Sequence, residues 1–404
     1  MPAPAQPDPA QGKWRRARPG PVPPSTDSAE RPADVKALPY LQGYRRAQDR
    51  PLVVEHDPAA TYPGLNFYVS GHAAEAVLAD MQGKVLHRWR YPLRRLFPEL
   101  AKDPQTAKEM AKLEYWRRAY LFPNGDLIGI YEGLGVVKLD ARSRVLWSLR
   151  GGFHHDLSVQ ENGEIWILDR EGKVLPRINP KEGVLEDFVT VLSAEGKVLR
   201  RISLLQAFER SPFAGLMSRM PREGDIFHTN TLEVLDGRGE DRNPAFRKGN
   251  VLLSVLKLDV IAVLDPASQT IVWARTGPWR RQHQPTQLAN GDILLFDNTG
   301  AGRDRSRVLE IDPSTGRTVW EYSGAGGEFS SRTLGSCQRL PNGNTLITES
   351  ENGRAFEVTP AGRTVWELYN PNRAGENREL VAVLFELVRL PPDFPFRGLT
   401  IDAR

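Results

Sequence analysis

Three of the seven histidines stand at matching points of a recurring sequence phrase. His283 lies seven residues before Asn290 in "HQPTQLANGD", and His155 lies seven residues before Asn162 in "HDLSVQENGE". His228, in "GDIFHTNTLEVLD", also precedes a stretch with strand character. A neutral imidazole can act as a nucleophile, a general acid or base, or a metal ligand, so three that converge form a candidate active site. Three other histidines are predicted to be structural: His72, His87 and His154. On an extended chain His154 would point away from its neighbour His155 and so away from the site.

The elements that would position these histidines come from an internal repeat. Six segments each combine a short apolar strand, a polar turn and a second strand, which is the pattern of a β-hairpin. The six segments are "AVLADMQGKVLHRW", "VVKLDARSRVLWSL", "VTVLSAEGKVLRRI", "AVLDPASQTIVWAR", "VLEIDPSTGRTVWEY" and "FEVTPAGRTVWEL". Four of them share a tryptophan at one register, namely Trp147, Trp273, Trp320 and Trp366, while His87 and Arg200 take that place in the first and third.

A second hairpin phrase, with an Asn-Gly turn in most copies, alternates with the first, as in "LFPNGDLIGIY" and "QLANGDILLF". Two hairpins per unit make four antiparallel strands, the composition of a propeller blade. We therefore predict an all-β fold, a six-bladed β-propeller over about residues 52–395. The first unit lacks an innermost strand, and the C-terminal "ELVAVLFELVRL" supplies one, so we expect it to close the first blade.

Two insertions with apolar residues at three- to four-residue spacing, 95–120 and 202–220, are predicted to be helical. Residues 1–36, rich in proline and alanine, are predicted to be disordered, and residues 37–404 to form one propeller domain. The net charge of +4 is spread along the chain, which argues against a nucleic-acid partner. No apolar run is long enough to span a membrane. The single cysteine, Cys337, is predicted to be a buried strand residue.

At these histidines the sequence resembles the bacterial arylsulfotransferase (arylsulfate sulfotransferase) family. The resemblance is carried by "FHHDLSVQENGEIWIL", "DIFHTNTLEVL", "WRRQHQPTQLANGDILLFDN", "SRVLEIDPSTGRTVWEY" and "QRLPNGNTLITES". It implies PAPS-independent sulfuryl transfer from an aryl sulfate donor to a phenolic acceptor, by a ping-pong route through a sulfohistidine and without a cofactor. By motif match His283 would be the nucleophile, with His155 and His228 as the other active-site histidines. The resemblance also implies a periplasmic location, although the N-terminus lacks the apolar region of a signal peptide.

One position departs from the family pattern. Where the catalytic type has an arginine after "NVLLS", this chain has Leu256, with Lys257 beside it. Leucine cannot replace a guanidinium that holds sulfate oxygens, and Lys257 on an extended strand would point to the opposite face. The repeat count places another cation, Arg117, at the point equivalent to the histidines. The cations that remain as candidates for binding sulfate oxygens are Arg117, Lys257, Arg280, Arg281 and Arg303.

The residues alone leave two further interpretations open. His155, His228 and His283 could hold a divalent metal for hydrolysis, since neutral imidazoles are common metal ligands, with Asp156 assisting. Alternatively, the chain could be a non-catalytic propeller that binds a ligand or a protein at its mouth, which the Leu256 substitution favours.

Overall fold

The computed structural model describes residues 43–102, 107, 111–324 and 329–395. These residues are mainly strands, because short alternating or apolar runs are separated by glycine- and asparagine-containing turns. The predicted disordered segment 1–36 lies outside the described residues. Within the described residues, no helix is long and apolar enough to cross a membrane.

The first three sheets follow one another along the chain and are antiparallel. Sheet 1 pairs its strands in the order β29 (Leu384–Leu390), β3 (Leu65–Ser70), β4 (Glu75–Ala79) and β5 (Val85–Arg90). Sheet 2 comprises β6 (Arg118–Leu121), β7 (Leu127–Tyr131), β8 (Gly135–Leu139) and β9 (Val145–Arg150). Sheet 3 comprises β10 (Leu157–Val159), β11 (Ile165–Lys173), β12 (Val184–Leu192) and β13 (Val198–Ser203), and β14 (Gly224–Asp225) joins β12 in parallel.

The next three sheets repeat the arrangement. Sheet 4 comprises β15 (Thr229–Val234), β16 (Val251–Val255), β17 (Val260–Asp265) and β18 (Thr270–Thr276). Sheet 5 comprises β19 (His283–Gln287), β20 (Ile293–Asp297), β21 (Arg307–Ile311) and β22 (Thr318–Tyr322). Sheet 6 comprises β23 (Ser336–Arg339), β24 (Thr345–Glu349), β25 (Arg354–Val358), β26 (Thr364–Tyr369) and β2 (Val53–His56). A small sheet contains β1 (Gly43–Arg46), β28 (Leu380–Ala382) and β27 (Arg373–Ala374).

The six sheets form a closed ring. Each sheet shares a buried apolar core with the next one, as between sheets 5 and 6, where Leu294 packs in one cluster with Ile347. The last core joins sheet 6 to sheet 1 and includes Trp366 and Val77. The C-terminal strand β29 pairs with β3, as predicted, so the innermost strand of sheet 1 comes from the other end of the chain. This ring of antiparallel sheets confirms the predicted all-β propeller fold.

The repeated tryptophan register is a structural feature of the ring. The four tryptophans, His87 and Arg200 each pair with a residue of the neighbouring strand directly beside a β-bulge, as Trp147 does opposite Lys138. Several also donate a ring N–H to a carbonyl in the outer turn of the next sheet. These pairs are Trp147 with Ala194 (2.9 Å), Trp320 with Pro360 (2.8 Å) and Trp366 with Met81 (2.9 Å). The last pair joins sheet 6 to sheet 1.

Both insertions contain helical segments among their described residues. The first contains α1 (Leu93–Leu96) and a 3-10 turn, Pro98–Ala101, and its residues 118–120 belong instead to β6. Residues 103–106 and 108–110 of this insertion lie outside the described part. The second contains α2 (Leu204–Glu209) and a 3-10 turn, Ala214–Arg219. The Ser203 hydroxyl caps α2 by accepting the N–H of Gln206 (3.0 Å), which ends β13 and starts the helix.

Three further short 3-10 turns lie in loops between the strands, Pro244–Phe246, Leu256–Leu258 and Ser350–Asn352. Cys337 lies in β23 and is buried, as predicted.

Candidate active site

The three predicted histidines lie at the starts of innermost strands in sheets 3, 4 and 5. His283 is the first residue of β19, His228 directly precedes β15, and His155 lies two residues before β10. The rings of His155 and His228 are in contact, with centroids 4.8 Å apart and planes at 74°. His155 and His228 adopt positive φ angles of 54° and 49°, an uncommon conformation for a residue other than glycine. The backbone therefore turns sharply at both positions.

The hydrogen bonds of His283 define which nitrogen carries its proton. Nδ1 lies 2.7 Å from the Asn298 side-chain oxygen and 3.1 Å from the Arg281 carbonyl. The Asn298 amide nitrogen donates to the carbonyls of Ser331 (2.6 Å) and Leu334 (2.8 Å), which fixes its oxygen toward His283. Because both partners of Nδ1 are acceptors, Nδ1 must be the protonated nitrogen. Nε2 is thus left with its lone pair, and it is buried without a hydrogen-bond partner among the described residues.

The surroundings of His283 keep its ring neutral. The side chain is buried, and burial together with the positive charge of Arg117 lowers its pKa to about 3, although Asn298 opposes the shift. At neutral pH the Nε2 lone pair is therefore not lost to protonation.

His228 is hydrogen-bonded to the carboxylate of Asp225 in β14. Its Nδ1 lies 2.5 Å from Asp225 Oδ2, and its backbone N–H donates to Asp225 Oδ1 at 2.9 Å. Burial alone would raise the pKa of Asp225, but His228, Arg170 and Lys257 outweigh burial and lower it below the ordinary range. Asp225 thus remains an acceptor for the Nδ1–H of His228, which leaves Nε2 of His228 for contact with a substrate.

His154, predicted to be structural and to point away from the site, instead contacts His155. The two Nδ1 atoms are 2.9 Å apart, and the rings are nearly perpendicular. The prediction assumed an extended chain, on which successive side chains alternate, but the positive φ of His155 breaks that alternation. On its other side, His154 Nε2 lies 3.8 Å from Asp187 Oδ1. Burial, and next the charge of Arg170, lowers the pKa of His154 well below its usual value.

A buried carboxylate, Glu132, joins this cluster. Glu132 accepts the backbone N–H of His155 (3.2 Å) and the guanidinium of Arg170 (3.1 Å). The potential ligand atoms of Glu132, His154 and His155 lie within 4.8 Å of one another. In the described part of the chain, this is the one such group of three, and it includes neither His228 nor His283. Arg170 is hydrogen-bonded to Glu132, and the charge of Arg117 lowers the pKa of His155. Because two positive charges already lie beside this group, we assign no metal ion to it.

Arg117 is a buried cation beside the histidines. It directly precedes β6, the innermost strand of sheet 2, and its guanidinium lies over the Phe385 ring, 5.2 Å from the centroid. Its side chain is buried, and Nε has no hydrogen-bond partner in the described residues. Burial lowers its pKa, and Glu132 opposes this. Arginine stays protonated in proteins, so Arg117 supplies a buried positive charge with unused donor capacity.

The other predicted cations are placed differently. Leu256 and Lys257 lie in the 3-10 turn that follows β16, so the extended strand on which Lys257 was expected to point to the opposite face ends before this residue. The charge of Lys257 instead helps to lower the pKa of Asp225, on the histidine side. Arg281 contributes its backbone, since its N–H donates to Asp259 (2.8 Å) and its carbonyl accepts from His283. The exposed Arg280 and Arg303 lie at the surface.

Asp156, adjacent to His155, has a structural role in the channel. Its two oxygens accept from Arg118 Nε (2.8 Å) and from the backbone N–H of Leu232 (3.0 Å), which ties sheets 2, 3 and 4 together. Arg118 also pairs with Glu386, whose carboxylate accepts from the Gln284 amide at 2.9 Å. Arg118, Gln284 and Glu386 line a cavity of about 600 Å³.

Several site residues escaped the sequence-based prediction. Asp225 stands three residues before His228, a spacing that could have suggested a His–Asp pair. Asn298 directly follows β20 in "LLFDN", and nothing in its local pattern distinguishes it from a turn residue. Glu132, Arg170 and Asp187 come from different strands and loops and carry no common spacing.

Residues 123–371 match the arylsulfotransferase (ASST) family, which is more than half of the chain. The chain belongs to this family. The matched region of this arylsulfotransferase-family protein includes all three candidate histidines, whereas Arg117 precedes it. No curated protein matches the chain.

Several solved structures are similar to this arylsulfotransferase-family chain. A streptogramin B lyase is 13% identical, with 84% of this chain and 89% of that chain covered and a TM-score of 0.45. The β-propeller domain of Cps50 (Swd1) from Myceliophteria thermophila is 10% identical, with coverages of 83% and 99% and a TM-score of 0.47. A protein of unknown function from Bacteroides caccae is 10% identical, with coverages of 80% and 98% and a TM-score of 0.47. These similarities give no information about substrate or reaction.

Proposed function

We propose that this arylsulfotransferase-family protein transfers a sulfuryl group from an aryl sulfate to a phenol through a sulfohistidine at His283. The observation that carries the proposal is the state of the His283 ring. Its Nδ1–H is held by Asn298 and Arg281, and its Nε2 lone pair is buried and unpartnered. A nucleophile at sulfur needs such a lone pair, and a buried site avoids competition from water.

In the first half-reaction, His283 Nε2 forms a bond to sulfur while the bond from sulfur to the donor's phenolic oxygen breaks. The leaving phenolate takes a proton from an acid in the site. Because Nδ1 keeps its proton, the sulfated ring carries a positive charge, and the Asn298 and Arg281 oxygens stabilise that charge. In the second half-reaction, the acceptor's phenolic oxygen bonds to sulfur, the nitrogen–sulfur bond breaks, and the acceptor's proton passes to a base.

Arg117 is the cation best placed to bind the sulfuryl oxygens, and it takes the role that Leu256 cannot fill. It is buried, its Nε is unpartnered, and its charge acts on both His283 and His155. Sulfuryl transfer places negative charge on equatorial oxygens, as phosphoryl transfer does, so a guanidinium stabilises the transition state. Lys257, whose charge acts on Asp225, and Arg281 are proposed to assist through their side chains.

His228 and His155 are the candidates for the acid and the base. The rings touch each other, and the charge of His228 acts on His283. Asp225 orients His228 through Nδ1, so Nε2 is the nitrogen of His228 that faces a substrate.

The proposal is tested by intact-protein mass spectrometry after mixing with 4-nitrophenyl sulfate at mildly alkaline pH. We expect a sulfuryl adduct on the wild type that an added phenol removes, and none on His283→Ala. His72→Ala is the matched control, since His72 is a half-buried histidine bonded to Ser70, outside the site. An adduct that persists in His283→Ala, or no adduct with any of several aryl sulfates, would overturn the proposal.

A further inference from the structure

A row of three buried side chains leads from His155 into sheet 3. His155 Nδ1 lies 2.9 Å from His154 Nδ1, and His154 Nε2 lies 3.8 Å from Asp187 Oδ1. The relative exposures of His154 and Asp187 are both 1%. Of these three residues, only His155 has a role in the sulfuryl transfer proposed above.

The inner end of the row is unsatisfied. His154 Nε2 and Asp187 Oδ1 are both buried without a hydrogen-bond partner in the described part of the chain. Asp187 Oδ2 accepts the backbone N–H of Thr229 at 2.7 Å, which holds the carboxylate in place. At 3.8 Å the two unpartnered atoms are too far apart for a hydrogen bond, yet a shift of about 1 Å would join them. Since buried polar atoms without partners are costly, this pair is expected to close.

The hydrogen bond between the two imidazoles allows only two proton arrangements. If Asp187 is ionised, His154 carries its proton on Nε2, accepts at Nδ1 from His155 Nδ1–H, and leaves a lone pair on His155 Nε2. If Asp187 is protonated, it donates to His154 Nε2, His154 Nδ1–H donates to His155 Nδ1, and His155 Nε2 carries a proton. The first arrangement makes His155 a base and the second makes it an acid.

Resting on the function proposed above, we propose that His154 and Asp187 are positioning residues that relay a proton to and from His155. His155 then serves as the acid for the donor and as the base for the acceptor. When the donor phenolate leaves, His155 Nε2 gives it a proton, His154 Nδ1–H passes to His155 Nδ1, and the Asp187 proton passes to His154 Nε2. Asp187 is then anionic. When the acceptor phenol attacks, its proton enters at His155 Nε2 and the row shifts back, so each cycle returns the same number of protons.

The charges around the row support neutral imidazoles and a titrating carboxyl. Burial, followed by the charge of Arg117, lowers the pKa of His155 well below its usual value. Burial, followed by the charge of Asp225, raises the pKa of Asp187 to about 7, while Thr229 and Arg170 oppose this. The carboxyl can therefore hold or release a proton near neutral pH. The charged and titratable groups that face the row are Arg117, Glu132, Arg170, Asp225 and His228.

Asp187→Asn tests the relay, because a side-chain amide is compatible with only the second of the two proton arrangements. With its oxygen accepting from Thr229, its NH2 faces His154 Nε2 and fixes His155 as the acid. With 4-nitrophenyl sulfate as donor, whose phenolate leaves without taking up a proton, we expect adduct formation within about threefold of wild type. Transfer to unsubstituted phenol should be at least about 100-fold slower, the usual contribution of general base catalysis. Transfer to 4-nitrophenol at a pH above the pKa of this phenol should be unaffected, because the acceptor is already deprotonated. Asp265→Asn, a buried carboxylate in the outer part of sheet 4, is the matched control.

Equal rates for the variant and wild type with both acceptors, or equal losses with both, would overturn the relay. His154→Phe keeps the ring volume but cannot carry a proton, so it should give the same dependence on the acceptor and serves if Asp187→Asn does not fold. ¹⁵N NMR of labelled histidines gives a readout independent of turnover. We expect the protonated nitrogen of His155 to change between about pH 6 and pH 8 in wild type and to stay at Nε2 in Asp187→Asn. An unchanged His155 tautomer in wild type would refute the relay even if sulfuryl transfer is found, whereas a missing adduct refutes only the proposed reaction.

Discussion

Asn298→Ala tests whether the hydrogen bond at Nδ1 sets the reactive form of His283. The substitution removes the 2.7 Å acceptor and leaves only the Arg281 carbonyl at 3.1 Å. A neutral hydrogen bond is worth about 1 kcal/mol net, within a range of about 0.5 to 1.5. If that energy holds the proton on Nδ1, its loss should slow adduct formation roughly fivefold, and at most about 12-fold.

The same substitution also affects the fold. Leu334 O loses the amide donor it receives from Asn298 (2.8 Å), whereas Ser331 O keeps the Ser306 hydroxyl at 3.0 Å. We expect a loss of about 1 to 3 kcal/mol in unfolding free energy for the unpaired carbonyl. Asn250→Ala is the control, because Asn250 is buried and donates to the Ala245 carbonyl (2.8 Å) away from the histidines.

The assay is rapid mixing with 4-nitrophenyl sulfate and measurement of the first-turnover burst of nitrophenolate, with urea unfolding of each variant in parallel. Asn298→Ala should show a slowed burst of full amplitude, while Asn250→Ala should lose stability only. A folded Asn298→Ala with a wild-type burst rate, or an equal slowing in Asn250→Ala, would refute the reasoning that Asn298 sets the tautomer.

Three further predictions follow from the site and the ring. Arg117→Met should weaken transition-state binding by about 1.5 to 3 kcal/mol, which is a loss of roughly 10- to 150-fold in kcat/KM for the donor. Arg117→Lys should restore part of the lost kcat/KM. Unchanged kinetics in both variants would exclude Arg117 from anion binding. Because the pKa of His283 is lowered to about 3, its nucleophilic form persists as pH falls, so the burst rate should stay level from about pH 8 to pH 5 when it is followed at a wavelength where 4-nitrophenol and 4-nitrophenolate absorb equally. A decline centred near about pH 6.5 would contradict this. Trp366→Phe removes the buried hydrogen bond to Met81 that joins sheet 6 to sheet 1 and should lower the unfolding free energy by about 1 to 3 kcal/mol. Trp320→Phe, which removes the exposed hydrogen bond to Pro360, should lower it less, as urea midpoints would show.

Much of the fold and part of the site were predictable because they depend on local patterns. Strand alternation and Asn-Gly turns act over a few residues, so the repeated hairpins and the closing role of β29 could be read from the chain. His155 and His228 meet as expected, because equal positions in successive repeats come to one end of the channel. Residues 118–120 were assigned to the wrong element because helical spacing continued into β6.

The sequence by itself determined the repeats, the all-β class and the positions of the three candidate histidines, since each depends on spacing that the chain carries locally. The tertiary structure alone decided the proton positions and charges of the site. Asn298 and Asp187 reach His283 and His154 only because neighbouring strands and sheets pack together, and no sequence period links such partners. The positive φ of His155 likewise turned His154 toward the site, because one left-handed residue cancels the alternation that an extended strand would impose.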